Sequence, residues 1–182
     1  LSFAKHFKDG IEWLDSDLKD TIDVGTENDV RERSIDDALY TKHPVSYKYA
    51  LTMTTRELYQ AVEGMYHNLN TLQSRSGNQL PFTSINYGTC TLHEGRMVIK
   101  ALLDISIQGI GKLRKTPIFP CGIFKLKKGV NRKKGEPNYD LYRLALRSTA
   151  QRLYPNYANV DWSGNAGYDE NDPRTEFSTM GK

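Results

Sequence analysis

The chain has 182 residues, Lys+Arg 25 against Asp+Glu 22, a formal net charge of +3 and 38% apolar side chains. That is enough chain for one sizeable core, with the mixed charge of a globular protein. It contains no run of about 18 apolar residues and no signal-peptide pattern, so neither a membrane span nor secretion is supported, and a cytoplasmic location is expected.

Charge is unevenly spread. Residues 1–40 carry eleven of the 22 carboxylates, whereas residues 105–135 have no Asp or Glu and nine cations: Lys112, Arg114, Lys115, Lys125, Lys127, Lys128, Arg132, Lys133 and Lys134. Such a stretch is either a solvated loop face or a surface for nucleic acid or nucleotide phosphate. Cys90 and Cys121 have neither CxxC spacing nor a His at metal-ligand spacing, and read as buried free thiols.

Leu1, Phe3, Phe7, Ile11 and Leu14 repeat at helical intervals, which predicts an amphipathic helix over residues 1 to about 20 and suggests a segment cut from something longer. Asp20 to Asp37 is acidic and turn-prone, with Gly25 and Asn28 as breakers. Asp15, Asp17 and Asp20 read as a solvated face rather than a metal cluster. Residues 38–52, interrupted by Pro44, carry no clear pattern. Thr54 stands three residues before Glu57, the capping-box spacing, and Leu58, Val62, Met65 and Leu69 follow, which predicts a helix from Thr54 or Thr55 to about Asn70. A polar loop, Gln73 to Gln79, comes next.

Beyond Pro81 the pattern changes. Phe82–Tyr87 favours a strand, Glu94 to about Gln108 a helix, and Thr116–Leu126 an apolar strand limited by Pro117 and Pro120. A further helix is predicted from about Asn138 to Tyr154, stopped by Pro155, with Leu141, Leu144, Ala145 and Leu153 on its buried side. Alternating strands and helices indicate an α/β fold with parallel strands, and place functional groups at strand ends. The tail Asp161–Lys182 is rich in turn residues.

Spacing alone yields no catalytic constellation. His6, His43, His67 and His93 are scattered, and no GxSxG or Walker pattern occurs. Gln108-Gly109-Ile110-Gly111-Lys112 matches a phosphate-binding turn only weakly and reads better as a turn after a helix.

Seven ordered blocks carry more. Asn70-Thr71-Leu72, the stretch Ser74–Thr89, Thr116–Pro120, Lys128–Asn131, Pro137–Asp140, Arg152–Pro155 and Ser178–Gly181 occur in the order and approximate spacing of the anaerobic (class III) ribonucleoside-triphosphate reductases, which the chain resembles over most of residues 55–182 and more loosely over 1–14. The resemblance implies roughly the first half of the ten-stranded α/β barrel of glycyl radical enzymes. Residues 1–73 would form a helical segment, and 74–182 a partial barrel ending in the finger loop.

In that family a glycyl radical passes to a cysteine at the barrel centre, the thiyl takes the ribose 3′ hydrogen and the 2′ hydroxyl leaves as water. Formate is the reductant in many members, and the full enzyme adds a structural zinc. Its partners are a radical-SAM activase, a second copy in a homodimer, ribonucleoside triphosphate substrates and deoxynucleotide effectors. Lys182 occupies the position expected for the thiyl cysteine. No catalytic residue, metal ligand or cofactor site is therefore expected within these residues, which read as an inactive segment interrupted at Met180-Gly181.

By the same resemblance Ser74, Ser76, Gly77, Gln79, Ser84 and Asn86 are candidate substrate-binding residues, their short hydroxyl and amide groups suiting phosphate and ribose. They suit equally well the satisfaction of buried backbone at a barrel entrance. Lys5 resembles a position beside the family's effector site, or is an ordinary surface lysine. A reading of another class is a non-catalytic fragment that binds nucleotide or nucleic acid through the basic stretch 112–134.

Overall fold

A computed structural model describes residues 1–71, 82–162 and 166–179. The chain divides into two compact units, Leu1–Gln60 and Ala61–Lys182. The boundary expected between residues 73 and 74 lies outside the described residues.

In the first unit, α1 (Ser2–Leu14) buries Phe3, Ala4, Phe7 and Ile11 on one face. It ends at Leu14, short of the expected residue 20, and only a single 3₁₀ turn, Ser16–Leu18, follows. The acidic stretch is not all turn. Thr26 and Asp29 form a reciprocal capping box that starts α2 (Glu27–Glu32), so Asn28 is helical rather than a breaker. After α3 (Ala38–Thr41) the long helix α4 (Pro44–Thr71) begins. Pro44 opens it, because a first-turn residue has no intrahelical N–H bond to lose.

Thr54 is therefore inside α4 and caps nothing; Glu57 instead takes the Ser2 hydroxyl. Gly10 lets the first unit close up, since a Cβ there would sit 3.2 Å from the Ser46 Cα. Phe3 and Phe7 pack edge-on against the buried Tyr40, with centroids 5.0 and 4.9 Å away. Ser46 donates to Asp15 at 2.6 Å, while Asp17 and Asp20 are exposed.

The second unit is α/β. Strands β1 (Ser84–Tyr87), β2 (Cys121–Leu126) and β3 (Asn156–Asn159) form a parallel sheet in the order β1-β2-β3. Helix α5 (His93–Gln108) connects the first two strands and α6 (Tyr139–Arg152) the second two. Side chains alternate across a strand, so Tyr87, Phe124 and Tyr157, which are in register, share one face. That face meets Ile99 and Leu103 of α5 and Leu141 and Ala145 of α6 around the fully buried Phe124. Burial of each large apolar side chain here contributes about 2–3 kcal/mol.

In the second unit three more sequence expectations need correction. Thr116–Leu126 is strand only from Cys121, because Asn70 at the end of α4 takes the preceding main chain for itself. Its Oδ1 accepts the N–H groups of Ile118 at 2.8 Å and Phe119 at 3.1 Å, and its Nδ2 donates to the Phe119 carbonyl. Leu153 is not on the buried side of α6. It is the left-handed C-cap, at φ +66° and 80% exposed. Cys121 is buried as expected, but Cys90 is an exposed residue.

The turn after α5 closes on itself, with Ile110 and Lys115 exchanging main-chain bonds of 2.9 and 3.0 Å. Gly109 is required there, at φ +77° and with a Cβ position 2.4 Å from the Arg114 carbonyl oxygen.

Candidate functional site

The second face of the sheet is chemically different. Strand alternation puts Ser84 and Asn86 of β1, Cys121, Ile123 and Lys125 of β2, and Asn156 and Ala158 of β3 on the side away from α5 and α6. Cys121, Ile123, Lys125 and Ala158 are all buried. A lysine in such a place needs a partner.

The C-terminal segment supplies it. Lys125 Nζ stands 2.9 Å from Glu176 Oε2, and Lys127 Nζ 3.0 Å from Glu176 Oε1. Thr89 just past β1 donates its hydroxyl to Oε2 at 3.0 Å. The Glu176 side chain is only 5% exposed. Burial by itself would raise its pKa, but hydrogen bonds from Lys125 and Lys127 outweigh that and hold the carboxyl below its ordinary value. Lys127 shifts the complementary way: burial opposes its charge, the Glu176 bond more than restores it, and the pKa is raised. Its ammonium also lies 5.9 Å from the Tyr168 ring centroid.

Three residues further on, the same segment is tied again. Asn86 Nδ2 donates to the Thr179 carbonyl at 2.9 Å, and the Thr179 N–H donates to Asn86 Oδ1 at 3.1 Å. Residues 176–179 thus lie along the second face, at the carboxyl end of a parallel sheet, where α/β folds place their functional groups.

The floor of this region is the turn between β2 and α6. Asn131 and Asn138, both fully buried, donate to the Gly88 carbonyl at 3.1 and 3.0 Å; Asn131 also holds the Lys125 carbonyl at 2.8 Å and Asn138 that of Cys90 at 2.8 Å. Glu136 turns back into the loop and accepts the N–H groups of Gly129, Arg132 and Lys133. Its pKa is lowered, first by the Lys133 N–H. A ring of main-chain donors suited to a phosphate therefore already holds a carboxylate of the chain itself.

Of the sequence-predicted site residues, Ser84 and Asn86 stand on this face. Ser74, Ser76, Gly77 and Gln79 lie outside the described residues, as does Lys182. Lys5 is exposed on α1. It adds the last and smallest contribution to lowering the Glu57 carboxyl pKa, after the Ser2 hydroxyl and the His6 ring. His6 Nε2 stands 2.9 Å from Glu57 Oε1, at ion-pair distance.

The basic stretch is divided by the fold. Lys125 and Lys127 serve Glu176 and Arg132 pairs with Asp161 at 3.2 Å, while Lys112, Arg114, Lys115, Lys128, Lys133 and Lys134 are exposed. Sequence names none of Glu176, Thr89, Asn131 and Asn138 as a site residue, although the last three lie in the family-like blocks. For Glu176 the usable signal is Lys125, the sole charge in an otherwise apolar strand, Cys-Gly-Ile-Phe-Lys-Leu. Among the described residues no three His, Cys, Asp or Glu stand close enough to hold a metal, and no helix is long and apolar enough to cross a membrane.

A family model described as anaerobic ribonucleoside-triphosphate reductase matches residues 8–181. The chain belongs to this reductase family. The reductase of Haemophilus influenzae is 39% identical over 113 residues, covering 62% of this chain and 16% of its own. That of Escherichia coli K12 is 38% identical over 133 residues, covering 68% and 18%. The enzyme of bacteriophage T4 is 38% identical over 123 residues, covering 68% and 20%. The chain therefore spans less than about a fifth of the curated reductases from the two bacteria. Its match to the family runs through both the sheet and residues 176–179, which lie along its second face.

Proposed function

We propose that the chain forms part of the catalytic barrel of an anaerobic ribonucleoside-triphosphate reductase, the oxidoreductase that makes deoxyribonucleoside triphosphates for DNA synthesis. The family match over residues 8–181 carries this reading. The sheet supports it, because β1 and β3 each have an edge with no strand partner among the described residues, as strands to be continued into a larger barrel require.

In this reading the face bearing Ser84, Asn86 and Lys125 is the barrel interior. Ser74, Ser76, Gly77, Gln79 and Ser84 bind the triphosphate and ribose through hydroxyl, amide and main-chain groups, while Asn86 orders the C-terminal segment. Lys5 contributes to an effector site. A glycyl radical elsewhere in the full reductase supplies the oxidising equivalent, with formate as the reductant in many members. The structural zinc, the activase contact and the dimer belong to that larger protein, and no residue described here is assigned to the metal.

The direct test is an anaerobic reductase assay with formate. It would use residues 1–182 alone, and again mixed with a polypeptide carrying the rest of the enzyme, including the cysteine expected after Met-Gly. Deoxynucleotide is expected only from the mixture. Neither Cys90 nor the buried Cys121 follows that Met-Gly pair, and the Lys182 ammonium cannot abstract a hydrogen atom as a thiyl radical does. Product from the chain alone, or none from a mixture in which the two polypeptides co-purify, contradicts the reading.

A further inference from the structure

Two attachments bracket Phe177 and Ser178. At one end the Glu176 carboxylate meets Lys125, Lys127 and Thr89; at the other both main-chain groups of Thr179 are held by one carboxamide, that of Asn86. Three peptide units span at most about 10 Å, so fixing both ends leaves the main chain between them little freedom. Asn86 lies within β1 and Lys125 within β2, and strands give more rigid anchorage than loops.

The choice of chemistry is informative. Seating a loop by apolar contacts would stabilise it at least as well, since burying a carboxylate with two ammonium groups costs desolvation that their attraction only repays. What the buried charges add is register: a carboxylate reaching two lysines and a hydroxyl is satisfied in one place only, whereas an apolar side chain tolerates sliding. The carboxamide of Asn86 likewise matches one peptide group.

We propose that Glu176 and Asn86 are positioning residues, which fix the main chain of residues 176–179 on the sheet and so set where the residue after Met180-Gly181 is presented to the substrate in the whole reductase. This rests on the reductase reading above. Transfer of a hydrogen atom needs near-contact geometry, and a misplacement of about 1 Å costs about a hundredfold in rate.

The test uses Glu176→Gln and Asn86→Ala in two settings. In the 182-residue chain, amide hydrogen exchange is read at Thr179 and at Phe124, the latter reporting the core. Each variant should speed exchange at Thr179 by about tenfold or more while leaving Phe124 protected. In a continuous reductase, with residues 1–181 joined through Met180-Gly181 to the cysteine and the rest of the enzyme, kcat should fall by about tenfold or more, with KM for the nucleotide changed by less than about twofold, because neither side chain is assigned a substrate contact.

An unchanged Thr179 rate in both variants overturns the proposal, as does release of Thr179 with kcat unaltered. A rise in KM at constant kcat also overturns it, since that marks a substrate-binding role. If Glu176→Gln exposes Phe124, the sheet itself has been lost and Asn86→Ala decides. Should the unmodified reductase make no deoxynucleotide, the functional reading fails and positioning fails with it, while the exchange data still report whether the two-point attachment exists.

Discussion

The side chain of Asn86 exchanges two hydrogen bonds with the main chain of Thr179, at 2.9 and 3.1 Å, across 93 positions of sequence. A carboxamide has the donor and acceptor of a peptide group, so β1 offers the C-terminal segment what a neighbouring strand would. Asn86→Asp retains the acceptor for the Thr179 N–H, removes the donor and sets an anion against the Thr179 carbonyl. At neutral pH it should lower the local opening free energy at Thr179 by about 1–3 kcal/mol, measured by amide exchange.

The Glu176 cluster makes segment docking pH-dependent. Its carboxyl pKa is lowered on folding, so the stabilisation is fully present above the ordinary glutamate range, begins to weaken as pH falls into that range, and is gone below the lowered folded value. The carboxylate accepts from Lys125, Lys127 and Thr89, and protonating it removes the charge that all three bonds serve. Exchange at residues 176–179, compared at equal intrinsic rate, should accelerate on acidification before that of β2. Glu176→Gln should abolish this pH dependence.

Gly122 and Tyr87 form a matched pair across adjacent strands. A Cβ on Gly122 would lie 2.7 Å from the Tyr87 hydroxyl and 3.4 Å from its Cε1. Burial, the principal cause, raises the Tyr87 pKa well above the ordinary value, in keeping with a ring packed against the Phe124 core. Gly122→Ala should cost about 1–3 kcal/mol by overpacking, and Tyr87→Phe in the same chain should recover part of it. Urea unfolding of the two variants checks both signs; equal losses would mean the hydroxyl is not the obstacle.

Asn131 links the Gly88 and Lys125 carbonyls and accepts the Lys127 N–H at 3.0 Å, all in a fully buried position. Asn131→Ala removes a partner from three main-chain groups, of which the Gly88 carbonyl keeps the Asn138 carboxamide, and should destabilise by about 2–4 kcal/mol. Exposed Lys133→Ala, on the same loop, should change stability by less than about 0.5 kcal/mol.

Much of the second unit was legible in the sequence, and the reasons are local. Helices α5 and α6 show apolar periodicity, and β1 and β2 are β-favouring runs bounded by Gly and Pro. Strand β3 was missed because Asn156-Tyr157-Ala158-Asn159 has no apolar run; pairing with β2 makes it a strand, and only Tyr157 reaches the helix-covered core. The start of α4 is hidden in the sequence because Pro44 resembles an interruption, whereas it is an opening residue. Of the candidate site, Ser84 and Asn86 were found through family resemblance. Glu176 was not, because its partners lie 49, 51 and 87 positions away and no local pattern connects them. The nine cations were legible as a charge excess, but not that two of them face inward.

The most direct measurement is the nuclear Overhauser spectrum of the 182-residue chain at neutral pH, observed between the Asn86 carboxamide protons and the Thr179 amide. A cross-peak between them, with a slowly exchanging Thr179 N–H, is the predicted result, because the C-terminal segment is seated on the second face of the sheet. A Thr179 amide that exchanges like a free peptide and shows no contact with Asn86 would contradict it.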